Sequence, residues 1–191
     1  MSNQNKKMDT KKLVLAALLT ALVVILQLMG SFVRFGTFQI SLVLIPIVIG
    51  AAECGASIGA WLGFVFGVVV LANGDAAPFL AVNAIGTVIT VLLKGTLCGL
   101  AAGVVFKAVS KVNRYLAVIA AAIVCPVVNT GVFLLGCLVF FMDTIKLWAG
   151  SGDVWKYMIF ILVGGNFLFE IGSNIILSPA VVRLLNIRKK Q

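Results

Sequence analysis

The chain has 191 residues, of which 62% are hydrophobic and only 11% are charged. A soluble globular domain is nearer half apolar and about a quarter charged, so this composition excludes one and predicts an integral membrane protein. The net charge of +9 does not indicate nucleic-acid binding, because the basic residues form clusters that bracket apolar segments, as topology signals do.

Six apolar segments follow one another along the chain, and a helix needs about 20 residues to cross the hydrocarbon core. We therefore predict an all-α bundle of six transmembrane helices. The predicted spans are 13–29, 39–52, 56–72, 79–106, 116–142 and 157–182. The second span is short, and Pro46 within it predicts a kink or break. The fourth is over-long, so we expect it to tilt or to begin as a loop or re-entrant piece.

Basic residues predict the orientation of these spans. An even number of spans puts both termini and the 107–114 loop on one face, which holds 11 of the 15 lysines and arginines. The positive-inside rule places that face in the cytoplasm. The predicted organisation is a cytoplasmic basic tail (1–12), a six-helix domain (13–182) and a second cytoplasmic basic tail (183–191), in the plasma membrane.

Several kinds of chemistry have no support in the sequence. It contains no histidine, which is the commonest general base and metal ligand. The four cysteines lie in or beside apolar runs without a CxxC pair, so we expect small buried residues rather than ligands. Walker A, HExxH and GxSxG motifs are also missing. We predict that the chain is not an enzyme, hydrolyses no ATP itself and uses no cofactor or metal.

Small residues recur at four-residue spacing. Glycines repeat in this way from 55 to 67 in the third span and from 95 to 103 in the fourth. Such stripes let helix backbones approach closely in lipid, so we expect them to pack inside the bundle. Ala17 and Ala21 form a similar stripe in the first span, where either internal packing or docking of another protein is compatible with the position.

Polar residues within the spans are expensive in a membrane and are candidates for a functional site. Three spans carry them, and the candidates are Asn83, Lys94, Asn129, Asn166, Glu170 and Asn174. At 3.6 residues per turn, the three in the sixth span share one face with Ser173, and we expect that face to point into the bundle.

Lys94 and Glu170 lie near the middle of antiparallel spans, so they could meet near the midplane. One interpretation is a buried ion pair. Such a pair stabilises poorly, because desolvation offsets much of the attraction. The alternative is a polar cavity open to the external side, lined by Asn83, Asn129, Asn166 and Glu170 with Lys94 at its floor. The external loop 143–156 adds Trp148 and Trp155, as interfacial anchors or as a lid over the site.

The chain resembles the substrate-binding (S) components of energy-coupling factor (ECF) transporters over about residues 10–185. "AALLTAL", with Ala17 and Ala21, looks like their AxxxA signature. "FQISLVLIPIVIGA" (38–51) before a glycine-rich third span resembles riboflavin/pantothenate-type members, and "NFLFEIGSNIILSP" resembles their polar sixth span.

This resemblance implies capture of a vitamin or related micronutrient near the external face. It implies partnership with a transmembrane coupling protein, which contacts the AxxxA face, and with two cytoplasmic ATPases. It also implies that the loops 30–38, 73–82 and 143–156 close over the ligand. Those loops supply the secondary candidates Arg34, Phe35, Asn73, Asp75 and Trp148. Riboflavin-type members tend to carry a lysine in the polar part of the sixth span, where this chain has Glu170, so no vitamin is assigned.

Two other functions remain open from the sequence. The chain could be a stand-alone secondary transporter or channel for a small solute, with Glu170 as a proton or cation site together with Lys94. It could also be a structural or assembly protein of the membrane. Uptake by the chain alone and binding of a small ligand distinguish these functions from the first.

Overall fold

The computed structural model describes residues 10–32, 34–35, 38–39 and 42–189, and helices make up most of them. The elements in chain order are α1 (Thr10–Phe32), the strands β1 (Arg34–Phe35) and β2 (Phe38–Gln39), α2 (Leu44–Cys54), α3 (Ala56–Ala72), α4 (Ala77–Leu80), α5 (Ala84–Val109), α6 (Arg114–Phe140), α7 (Met142–Ala149), α8 (Val154–Lys156), a π-helical segment (Tyr157–Gly164) and α9 (Gly165–Lys189). The helical prediction is therefore confirmed, with a two-stranded antiparallel hairpin as the departure.

Four helices in the described part of the chain are long and apolar enough to cross a membrane. They cover Thr10–Gly30, Ala84–Val109, Arg114–Phe140 and Val154–Pro179. The α2 and α3 helices are apolar but shorter, with 11 and 17 residues. The helices also extend into both predicted tails, because α1 begins at Thr10 and α9 runs to Lys189. Residues 1–9 and 190–191 of those tails lie outside the described residues.

The predicted second span (39–52) is wrong in its first residues. Gln39 belongs to β2, and α2 begins only at Leu44. The predicted kink at Pro46 is wrong as well. Pro46 lies in the first turn of α2, where a backbone N–H has no partner within the helix, so a proline there costs no hydrogen bond.

The helix predicted for the third span matches α3 from its first residue to its last, whereas the helices predicted for the fourth and fifth are divided. The fourth begins as a separate piece, because α4 ends at Leu80 and α5 starts at Ala84. Asn83 marks that start by accepting a hydrogen bond from the Gly86 amide at 2.9 Å. The fifth span does not reach Met142, since α6 ends at Phe140 and α7 begins after one residue.

Side-chain contacts show that successive long helices run in opposite directions. Gln27, near the end of α1, bonds to Asp75 just after α3. Cys54, at the end of α2, contacts the Lys12 carbonyl in the first turn of α1. We call the end of the bundle with Gln27 and Asp75 the hairpin end, because β1 and β2 follow α1 there in the chain. We call the opposite end, with Lys12 and Cys54, the terminal end. An ion pair from Arg114 to Glu53 at 3.0 Å places the start of α6 at the terminal end too.

The glycine stripes pack inside the bundle from Gly59 to Gly67 and from Gly95 to Gly103, as predicted, and they join α3 to α5. Gly55 is the exception, since it is exposed and a Cβ atom there would meet nothing within 4 Å. A Cβ atom added to Gly63 would fall on the Gly95 carbonyl, and one added to Gly95 would fall on Gly63. The same reciprocal approach joins Gly59 to Gly99 one turn away. Only residues without a side chain permit this backbone contact, which therefore fixes the register of the two helices.

Replacing Gly63 with alanine is expected to destabilise the protein by about 1–3 kcal/mol, the usual range for overpacking a filled interior. The added methyl group would meet the Gly95 backbone, which has no flexible atom to move aside. Unfolding in mixed detergent micelles measures the change. The control is Gly172→Ala, whose methyl group meets nothing within 4 Å. An equal loss in both variants would contradict the close α3–α5 contact.

Candidate ligand-binding cavity

A cavity of about 200 Å³ lies between α1, α3, α5, α6 and α9 toward the hairpin end. Its nineteen lining residues include nine polar ones beside aromatic and aliphatic side chains. The polar residues are Gln27, Asp75, Thr87, Thr90, Lys94, Asn129, Thr130, Asn166 and Glu170. Polar groups that converge in a concave, partly apolar site are typical of a small-molecule site.

Lys94 supplies the cationic group of the cavity. It lies ten residues into α5, which puts it about 15 Å from the start of that helix at a rise of about 1.5 Å per residue. Its ammonium nitrogen lies 5.8 Å from the centre of the Phe66 ring and 5.2 Å from that of Phe133. Two ring faces at this range attract the cation without neutralising it.

The ion pair between Lys94 and Glu170, which the sequence left as one of two interpretations, does not form in the described part of the structure. Both side chains line the same cavity, but among the described residues no contact within 4.0 Å joins the ammonium to the carboxylate. The two residues sit on α5 and α9, which scarcely touch, while α6 packs against both helices. The cavity therefore holds opposite charges apart.

Five polar side chains on the cavity wall are almost completely buried, and three of them bear on ligand binding. Glu170 is 9% exposed, Asn129 6% and Thr90 3%. The Oδ1 atom of Asn129 has no hydrogen-bond partner. The Thr90 hydroxyl oxygen is also without a partner. Buried polar atoms are normally satisfied, so these two are available to a ligand.

The loop after α3 is tied across the hairpin end of the cavity. Asp75 accepts hydrogen bonds from Gln27 Nε2 at 2.8 Å and from Asn73 Nδ2 at 2.9 Å. Its own amide donates to Asn73 Oδ1 at 3.1 Å, across a turn in which Gly74 has a positive φ of 84°. The loop therefore connects α1 to α3 directly over the cavity.

An aromatic cluster closes the neighbouring part of the wall. The Phe79 ring meets Phe133, Phe141 and Trp148 edge-to-face, with ring centroids 5.6, 5.1 and 5.4 Å apart. The rings of Phe79, Phe133 and Phe141 line the cavity, whereas Trp148 does not. Trp148 therefore contacts a ring of the cavity wall without lining the cavity itself.

The structure brings four predicted site residues together at the cavity, namely Lys94, Asn129, Asn166 and Glu170. Asn83 does not line it, because its side chain caps α5. Asn174 does not line it either: it is buried and donates to the Ala122 carbonyl at 3.3 Å. Among the secondary candidates, Asp75 lines the cavity, whereas the side chain of Arg34 lies outside the described part of the structure.

Sequence reasoning missed several lining residues, including Gln27, Thr87 and Thr90. Thr87, Thr90 and Lys94 follow one another at helical spacing on α5, so a polar stripe was visible in the sequence. Threonines in apolar helices usually bond to their own backbone, as Thr87 does to the Asn83 carbonyl at 2.7 Å. Thr90 is the exception, because its hydroxyl makes no such bond, and the sequence alone does not show this.

Long apolar helices around a cavity with convergent polar groups define a multi-pass membrane protein with a small-molecule site. A family profile described as "ECF transporter, substrate-specific component" matches residues 11–182. This range covers nearly the whole chain, and the chain belongs to that family. Comparison with curated proteins gave no match, and comparison with solved structures gave none either. Substrate-specific components are substrate-binding transport subunits rather than enzymes.

Replacing Gln27 with leucine is expected to loosen the loop over the cavity. The substitution keeps the side-chain size but removes a donor from Asp75. Hydrogen bonds to charged groups contribute about 1.5–3 kcal/mol, so amide hydrogen exchange in the 73–80 segment should accelerate about tenfold. Hydrogen-exchange mass spectrometry in nanodiscs measures the rate.

The matched control for this prediction is Thr96→Val. It removes a hydrogen bond that stays within α5, from the Thr96 hydroxyl to the Leu92 carbonyl at 2.7 Å. It should leave exchange at 73–80 unchanged. Unchanged exchange in Gln27→Leu as well would show that the Asp75 contact does not hold the loop.

Proposed function

We propose that this chain is the substrate-binding subunit of an ECF-type ABC transporter in the plasma membrane. It captures a vitamin or related micronutrient at the external face, and partner subunits drive uptake by hydrolysing ATP. The partners are a transmembrane coupling protein and two cytoplasmic ATPases. The alternative is a stand-alone carrier or channel. The uptake experiment below distinguishes it from the proposed function.

The observation that carries this proposal is the cavity itself. It combines a lysine, a glutamate, two asparagines and unpartnered polar atoms within a largely apolar bundle. Polar groups at such depth are expensive, so a role in binding explains them better than a role in packing. A volume of about 200 Å³ lies below the usual 300–1,000 Å³ of ligand pockets, which favours a compact solute.

The proposed topology has six crossings, made by α1, α2, α3, α5, α6 and the helix from 157 to 189. The alternating contacts between the hairpin end and the terminal end support this number. The terminal end carries Lys11, Lys107 and Arg114, so the positive-inside rule assigns it to the cytoplasm. The cavity then faces the external side, as a capture site requires.

The proposed docking surface is the stripe of Ala17 and Ala21 on α1. Both residues are exposed on the bundle, and neighbouring Leu18 is 64% exposed. Exposure argues against the alternative in which the stripe packs internally. An apolar face near the cytoplasmic end of a helix suits a transmembrane partner, whose backbone can approach over small residues.

Uptake in proteoliposomes tests the proposed function. Vesicles that contain the chain with its coupling protein and ATPases should accumulate the ligand only when ATP is inside the compartment that holds the ATPases. Vesicles that contain the chain alone should bind the ligand without accumulating it. Accumulation by the chain alone under a proton gradient would contradict the proposal and favour the stand-alone carrier.

Replacing Ala17 and Ala21 together with leucine is expected to weaken copurification of the coupling protein and ATPases about tenfold, because bulk at the centre of an interface removes close contact. Ligand binding should be unchanged, since neither residue lines the cavity. Ala108→Leu is the control, as an exposed alanine on α5 at the terminal end. Equal loss in the control, or none in the double variant, would refute the assignment of this surface.

A further inference from the structure

The arrangement of charges and unpartnered atoms in the cavity carries information on the chemistry of its ligand. This inference rests on the proposed function, since it describes the solute that the same cavity would bind. Two walls of the cavity differ in hydrogen-bonding character. The α5 wall offers donors, and the wall formed by α6 and α9 offers acceptors.

The donor wall consists of Lys94 and Thr90. The two residues are four apart on α5, so they lie on one face of the helix. The Lys94 ammonium has only donors to offer, and its closest described partners are the rings of Phe66 and Phe133. The Thr90 hydroxyl can donate beside it, because its oxygen has no partner in the protein. An anionic group fits this wall best.

The acceptor wall consists of Glu170 and Asn129. Both side chains line the cavity, and the Asn129 Oδ1 atom is an acceptor without a partner in the protein. A carboxylate and an amide oxygen side by side repel a second anion and require N–H or O–H groups from the ligand. Both residues are more than nine-tenths buried, so water contributes little to satisfying them.

Lys94 and Glu170 lie on opposite walls, so one ligand could contact both of them. A direct ion pair would occupy both groups, but none within 4.0 Å joins them in the described structure. A ligand that carries an anion at one end and donors at the other would contact both groups at once. It would give each of these two charged side chains a partner of complementary character.

We propose that the cavity binds a compact amphoteric solute. Its carboxylate-type anion lies on Lys94 and Thr90, its amino, amide or hydroxyl donors lie on Glu170 and Asn129, and its apolar body lies against Phe133. A purely cationic solute leaves Lys94 opposed to a like charge, and a neutral hydrocarbon leaves the buried acceptors unsatisfied. A lipid could supply the same anionic chemistry through its headgroup, and the experiment separates the two sources.

The test uses the small-molecule fraction of yeast extract as the probe. The protein in nanodiscs of phosphatidylcholine is incubated with this fraction, washed and denatured. Mass spectrometry in both polarities then identifies compounds that are enriched over protein-free nanodiscs. The proposal expects an enriched small solute with a carboxyl-type anion and at least one N–H or O–H donor. Its affinity is then measured by titration with the pure compound.

Two charge variants assign the ends of the solute. Lys94→Met and Glu170→Gln should each lower its affinity about 10- to 100-fold, the usual effect of losing one charge-assisted hydrogen bond. Lys107→Met and Asp143→Asn are the matched controls, since they neutralise exposed charges outside the cavity. The controls should bind as the unmodified protein does.

Thr90→Val keeps the proposal testable if Lys94→Met does not fold. It preserves the side-chain size and removes a buried hydroxyl that has no partner in the protein. It should therefore leave stability without ligand unchanged or raise it. Its affinity for the solute should still fall about two- to tenfold. A fall in stability with no change in affinity would show that Thr90 is structural and contradict its role in the donor wall.

The outcomes separate this inference from the proposed function. An enriched solute that lacks an anionic group, or that binds Lys94→Met as tightly as the unmodified protein, overturns the inference and leaves the proposed function standing. Enrichment of a phospholipid alone assigns the cavity to a headgroup and overturns it too. If no compound is enriched, the proposed function fails together with the inference.

Discussion

Lys94 and Glu170 carry opposite charges on two helices of an apolar bundle, and they line one cavity without contacting each other. An ionisable group at the centre of a membrane helix costs about 2.5–3.5 kcal/mol on insertion scales. A direct pair would offset part of that cost, yet α6 lies against both α5 and α9 and the two charges remain apart. The packing of the helices holds the two charged groups apart. A ligand that contacts both groups would gain binding free energy from each.

Packing at the other side of the cavity explains why the space exists. Gly63 and Gly95 bring α3 and α5 into backbone contact, which leaves no room between these helices at that level. One turn nearer the hairpin end, Gly67 still packs against the Val91 backbone, while the side chains of Phe66 and Val91 line the cavity. On the terminal side of the cavity, glycines therefore pack α3 directly against α5. At the cavity itself, aromatic and polar side chains form the wall.

Sequence reasoning predicted the helices, and the presence of Lys94 and Glu170 at one site, better than it predicted the finer geometry. The third span was predicted to the residue, because polar and glycine-containing breaks flank it at Gly55 and Asn73. The start of the second was not, because one apolar run continues from β2 into α2. Asn83 was assigned to the cavity because a capping side chain and a binding side chain look alike in a sequence. The distance between Lys94 and Glu170 depends on how α6 packs between their helices. The spacing of residues along the sequence does not determine this packing.

The most direct test of this account is an experimental structure of the protein with its enriched solute. The account predicts that the solute lies between Lys94 and Glu170, with its anion at the Lys94 ammonium and its donors at Glu170 and Asn129. The two side chains should remain without direct contact. A structure in which Lys94 and Glu170 form an ion pair and the solute lies outside the cavity would contradict it.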